Sequence, residues 1–207
     1  VIEACHAVRH PRLVQMVNVI DQGEYVKLIM EYCPEGNLEK LLCDREKKAL
    51  SWNSKQRIAR QLLEGVSALH KAGYIHGNIT SKCILFDSDM FIKLTDFAAS
   101  TEIGSEDYFE CNRTYASPQV LAADSTRQAA DDIWSVGVVV LEMILGRVPW
   151  GNLSEEEMLK PGFPVIVSNI VRKELKDEPV PFGLRYLLDH TLVADPEKRC
   201  NASQLLE

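Results

Sequence analysis

The polar residues that could carry chemistry crowd around one stretch, Tyr74 to Ala98. His76 and Asn78 precede a short apolar run, Ile84-Leu85-Phe86, and Asp96 and Phe97 follow a second run that holds Phe91, Ile92 and Leu94. Asp87-Ser88-Asp89 between the runs is a turn signal. The stretch therefore predicts a tight hairpin whose flanking loops deliver polar side chains to one edge. The six cysteines are scattered with no C-x-x-C pair. That argues against a zinc site and for the reduced thiols of a cytoplasmic protein.

These residues need elements to position them. The chain has 207 residues, of which 46% are hydrophobic and 26% charged, an ordinary balance for a globular protein. A net charge of -7 argues against nucleic acid as a partner, because phosphate binding needs a basic face. No apolar run approaches the roughly 20 residues of a membrane span, so no membrane partner is expected, and no leader is visible. Residues 1–8 read as the last turns of a helix, ended before His10-Pro11. Leu13–Ile20 and Tyr25–Met30 predict an antiparallel hairpin around Asp21-Gln22-Gly23-Glu24. A short helix is predicted from Asn37 to Leu42, and a long one from Ser51 to Ala72. Ser51 or Ser54 can cap the long helix, Ile58, Leu62, Val66 and Leu69 share its inner face, and Gly73 sits at its stop. Ala99 to Val120 shows little periodicity and reads as a loop. Asp131 to Leu145 is apolar on nearly all sides and belongs in the middle of a core. Strands come first and helices after, which predicts an α+β arrangement with a helical second half.

The motifs then resemble a protein kinase domain, in order and over nearly the whole chain. His10-Pro11-Arg12-Leu13-Val14 resembles the HPNIV stretch after the helix the family calls αC. Ile29 to Cys33 resembles the fifth strand and hinge, with Met30 at the gatekeeper place. His76 to Cys83 stands where H-R-D-L-x-x-x-N stands, and Asp96-Phe97-Ala98 where D-F-G stands. Ser117-Pro118-Gln119 replaces A-P-E, Asp132 to Gly137 resembles D-x-W-S-x-G, and Asp195 to Arg199 resembles D-P-x-x-R. The stretch Glu31 to Leu38 is similar to the NIMA-related serine/threonine kinases. The resemblance implies a protein-kinase-like fold: a partial N-lobe over residues 1–31, holding the end of αC and the family's fourth and fifth strands, and a helical C-lobe over residues 32–207.

What the resemblance implies for the site is mixed. The catalytic aspartate position is Asn78, and an amide does not accept a proton as a carboxylate does; general-base help is worth roughly 10²–10⁴-fold. The neighbouring arginine position is Gly77, the lysine position is Thr80, and the second magnesium ligand is Cys83, a soft donor poorly matched to Mg²⁺. Asp96 keeps the other metal position, a weak one for Mg²⁺ as a single carboxylate; its alternative is a loop aspartate that caps nearby backbone amides. Ala98 in place of glycine restricts the swing of that loop. Met30, Glu31, Cys33 and Leu85 take the adenine-pocket and hinge positions. G-x-G-x-x-G occurs nowhere in these residues, and the αC glutamate position falls on Val1, with Glu3 close by. His76, Phe97, Cys5 and Met16 fall on the family's internal spine, Asp132 where a carboxylate anchors the catalytic loop, and Arg199 opposite Gln119 instead of a glutamate, a pair weaker by roughly 1 kcal/mol.

Retained core residues beside altered catalytic ones lead to the expectation of a pseudokinase: a scaffold or allosteric partner of other proteins, an active kinase among them, with no cofactor. The competing expectation is an active serine/threonine kinase that uses ATP and Mg²⁺, with its first strands upstream. A third is a nucleotide-binding module without transfer. Ser100, Thr101, Ser105, Tyr108 and Thr114 stand where the family is phosphorylated; with Gly77 in place of the arginine, they are expected to form a solvated acidic loop. Leu28 and Met30 are expected to lie on an open sheet face that a longer chain or a partner covers.

Overall fold

The computed structural model describes residues 8–44, 49–106, 110–122, 126–160 and 162–207. The expected helix before His10, with Val1, Glu3 and Cys5, lies outside the described residues apart from Val8, as does Tyr108. No helix among the described residues is long and apolar enough to cross a membrane.

The first hairpin pairs β1 (Met16–Asp21) with β2 (Val26–Met30), antiparallel, with an irregularity between Met16 and Asn18. Its turn closes because Asp21 Oδ1 accepts the Gly23 N–H at 2.8 Å. The strand starts three residues later than the apolar run suggested. Leu13 and Val14 are 1% and 3% exposed and run instead beside Leu94, which accepts the Val14 N–H at 2.9 Å and donates to Arg12 O at 2.8 Å. The open face also differs from expectation. Leu28 and Met30 are half-buried, whereas Val17, Ile20, Tyr25, Val26 and Ile29 are exposed. The pleat sends alternate side chains to opposite faces, and the bare residues lie on both: Val26 shares the face of Leu28 and Met30, and Ile29 lies on the other.

Behind the hairpin lie α1 (Leu38–Cys43), capped by Asn37, and α2 (Trp52–Lys71), capped by Ser51 Oγ on the Ser54 N–H at 3.1 Å. Ile58, Leu62, Val66 and Leu69 are no more than 2% exposed, so the predicted stripe is the buried face. The chain leaves α2 at Gly73, whose φ of +86° suits glycine. The two-residue strand β3 (Tyr74–Ile75) follows, then β4 (Ile84–Phe86) and β5 (Ile92–Leu94), which form the predicted hairpin. Asp87 Oδ1 accepts from both Asp89 N and Phe91 N, at 3.0 and 2.9 Å, and this Asx-type turn fixes the hairpin's register. Gln61 on α2 accepts the Ile92 N–H at 3.0 Å and ties helix to hairpin.

The segment read as a loop from Ala99 is more regular than its composition suggested. Thr101–Glu102 form β6 on β3, Gly104 N donates to Arg127 O at 2.8 Å, and Pro118–Ala122 form α3. Ser100 is buried, with its hydroxyl on Ile75 O, which corrects the solvated reading at that position. The core helix α4 (Ala129–Leu145) packs against α2 and is buried on almost every side. The remaining helices are α5 (Glu155–Met158), α6 (Phe163–Glu174) and α7 (Phe182–Thr191), the last packed on α4. The mixture of small antiparallel ribbons and a large helical part is the α+β, kinase-like arrangement expected.

Candidate active site

The loop between β3 and β4 is held from below. Asp132, in the first turn of α4 and 1% exposed, accepts His76 N at 2.7 Å and Gly77 N at 2.9 Å, and takes a third bond from His70 Nε2 at 2.9 Å. Burial alone would raise the Asp132 carboxyl pKa; the hydrogen bond and charge of His70, together with His76, outweigh it and hold the pKa below its usual value. His76 is fully buried, and burial lowers its pKa. The neutral ring then has one tautomer: Nε2–H donates to Thr95 O at 2.9 Å, and Nδ1 accepts Asn78 N at 3.3 Å. Its ring lies 5.3 Å from that of Phe97, so two of the expected spine residues meet.

Asn78 is half-buried, and its amide oxygen accepts the Asn112 N–H at 2.9 Å. The segment from Ala99 to Ser117, the activation segment by resemblance, thus docks through Asn112 on the residue expected at the proton-acceptor position. Thr80 is 4% exposed and caps the turn Ser81–Cys83 through Lys82 N. Lys82 turns outward to Glu39 at 3.6 Å, in keeping with a solvated lysine.

Cys83 draws the loops together. Its Sγ lies 3.2 Å from Asn78 O, 3.3 Å from Thr80 Oγ1 and 3.9 Å from Asp96 Oδ2. Burial, with Asp96 beside it, pushes the Cys83 thiol pKa up, so it stays protonated. Asp96 is exposed in a left-handed conformation (φ +68°) and makes no side-chain cap bond, so the capping reading does not hold. The two positions that the resemblance assigns to metal therefore hold one carboxylate and one neutral thiol. Mg²⁺ demands hard oxygen ligands in near-octahedral array. The residues at these positions do not fit it, and no group of three or more His, Cys, Asp or Glu able to hold a metal occurs among the described residues.

At the hinge, Met30, Glu31 and Cys33 are half-buried, and Leu85 is brought beside the segment that follows them by the Asn37–Leu85 bridge and by Phe86 N on Gly36 O at 2.9 Å. Glu31 is fully engaged: its carboxylate takes Lys93 Nζ at 3.0 Å and Gln15 N at 2.7 Å. Lys93, on β5, was not among the sequence candidates. Neither was the buried triangle under the activation segment, where Glu142 accepts Tyr115 Oη at 2.8 Å and Ser81 Oγ at 3.0 Å. Near the end of the activation segment, Arg199 reaches Gln119 Oε1 at 2.6 Å and the carbonyls of Val193, Ala194 and Ala130, so the neutral pair expected from sequence is formed.

Burial raises the Glu142 pKa despite its two donors. A raised folded-state pKa in an acid penalises the folded protein above that pKa, and the penalty fades as pH falls towards the usual 4.5. Glu142→Gln should therefore raise the melting temperature at pH 7–8 and leave it close to wild type near pH 4; thermal denaturation at both pH values checks this.

Asp132 reaching back beneath a histidine-led loop, with the Asp-Phe dipeptide behind it, makes this the catalytic core of a protein kinase fold. Comparison narrows the class to a family: a profile described as "Protein kinase domain" matches residues 2–207, and the chain belongs to that family. Similar proteins include the serine/threonine-protein kinase SSK22 of Saccharomyces cerevisiae, 32% identical over 95% of this chain and 16% of that protein. The human hormonally up-regulated neu tumor-associated kinase is 32% identical over 96% of this chain and 28% of its own length. Human mitogen-activated protein kinase kinase kinase 4 is 30% identical over 97% of this chain and 12% of its own length. The chain thus spans less than a third of these relatives.

Proposed function

We propose that this kinase-family domain acts by binding, as a pseudokinase scaffold or allosteric partner of another protein, an active kinase being the first candidate. The observation that carries the reading is Asn78: an amide at the proton-acceptor position, its oxygen bonded to the activation segment. The neutral Cys83 thiol opposite Asp96 supports it, because phosphoryl transfer depends on charge placed around the phosphates. In the experiment, the purified protein is incubated with γ-labelled ATP, Mg²⁺ and myelin basic protein. No incorporation that depends on Asp96 is expected; incorporation abolished by Asp96→Ala overturns the reading.

The names of the relatives and the exposed Asp96 carboxylate favour a second reading, an ATP-using serine/threonine kinase. Thermal shift separates the two. With the metal positions as described, any shift at millimolar ATP should be the same with and without Mg²⁺. A shift that needs Mg²⁺ favours the second reading.

A further inference from the structure

On the far side of the helical part, α6 and α7 diverge around a cleft of about 400 Å³, within the size range of ligand sites. Its floor is apolar: Val171 and Leu175 from the α6 side, Leu188 and Leu192 from the α7 side, with Leu175 and Leu188 each 3% exposed. Its mouth carries Arg172, Arg185 and Asp189.

The charges at the mouth are not spent on each other. Arg185 and Asp189 stand four apart on α7, the spacing at which a helix pairs opposite charges. Arg185 instead reaches across the cleft and donates Nη2 to the carbonyl of Leu175 at 3.1 Å. Among the described residues, neither Arg172 nor Asp189 takes part in an ion pair, whereas Arg147 and Glu174 nearby do. Two guanidiniums, one wholly unpaired, thus face a partly apolar cleft on a chain whose net charge is -7.

We propose that the α6–α7 cleft docks a short extended segment of a partner protein in which an acidic side chain stands beside an apolar one. The acid meets Arg172 and the remaining donors of Arg185 in charge-assisted hydrogen bonds. The apolar neighbour covers Leu175, Leu188 and Leu192. Asp189, exposed at the same mouth, can accept a donor from the ligand, which a peptide N–H supplies and a simple carboxylate does not. This choice of a peptide over a small amphipathic anion rests on the mixed signs at the mouth. The inference goes beyond the binding role proposed above and holds whether or not the domain transfers phosphate.

An array of octapeptides tests it. One Asp or Glu is walked against Leu, Ile, Val and Phe neighbours, with Asn and Lys replacing the acid in matched sets, and hits are measured by fluorescence polarisation. Acid-apolar peptides should bind, and their Asn counterparts should bind at least about tenfold more weakly, as expected for a charged hydrogen bond. Arg172→Glu should abolish binding of the acidic set. Ser168→Trp, at the exposed edge of the cleft, should do the same by filling it. Both variants should keep the wild-type melting temperature, which separates lost docking from lost folding, and Arg172→Lys should retain binding. Equal binding of acid and Asn sets, binding unaffected by both variants, or saturable binding of sodium octanoate with no acidic peptide bound overturns the proposal.

Discussion

Replacing Asp132 by alanine is expected to remove about 3–5 kcal/mol of stability, the usual cost of deleting one partner from a buried charged network. The carboxylate is 1% exposed and is the shared acceptor for His76 N, Gly77 N and His70 Nε2. Its removal strands two backbone donors at the start of the loop, where water has little access. The pH dependence gives an independent check. A lowered folded-state carboxyl pKa contributes stability that is present above the ordinary 3.8 and is lost as pH falls through the folded value. Buried His76, with its pKa lowered from 6.5, contributes stability that is lost from that pH downward as the ring is forced to charge. Acid unfolding of the wild type should therefore begin below pH 6.5 and steepen below pH 3.8. Asp132→Asn should be less stable than wild type at pH 7 and lose less stability than wild type below pH 3.8, while the shallower loss below pH 6.5 remains. A wild-type melting temperature in Asp132→Ala at pH 7 would show that the loop does not depend on this anchor.

That anchor marks how far the sequence could be read. The long helices were legible because their residues report on themselves: the stripe of Ile58, Leu62, Val66 and Leu69 and the all-apolar run after Asp131 state burial directly. The hairpins were legible from turn chemistry at Asp21 and Asp87, where a side chain bonds its own local backbone. Motif order placed His76, Asn78, Cys83, Asp96 and Asp132 in one neighbourhood. What stayed hidden depends on partners far along the chain. Ser81, Tyr115 and Glu142 form one buried cluster from three separate segments, and no local spacing announces it. β6 is only Thr101–Glu102, too short for any alternation. Gln61 looks like a surface glutamine on an amphipathic helix, yet it is 5% exposed and holds β5. The α6–α7 cleft exists only through the angle between two helices.

Gly77 shows most clearly what substitution patterns alone leave out, and it gives the second large expected effect. By motif it is a missing arginine, a lost charge. In the fold it is a backbone requirement. Its φ is +78°, a region that costs a residue with a side chain roughly 1–3 kcal/mol. A Cβ there would stand 2.5 Å from the carbonyl oxygen of Ala99, a contact that cannot be relieved by turning a side chain. The same glycine gives its N–H to Asp132, so the loop cannot swing away without releasing the anchor. Gly77→Ala should therefore cost upwards of about 2 kcal/mol, the strain plus the clash, and Gly77→Arg at least as much. Restoring the family's arginine should weaken the protein and create no phosphate-reading site, because its backbone is not placed to carry a side chain. Chemical denaturation of both variants, with the urea midpoint and slope read separately, tests this. If Gly77→Arg unfolds at the wild-type midpoint with an unchanged slope, the loop accepts a side chain, and the glycine is a lost charge after all.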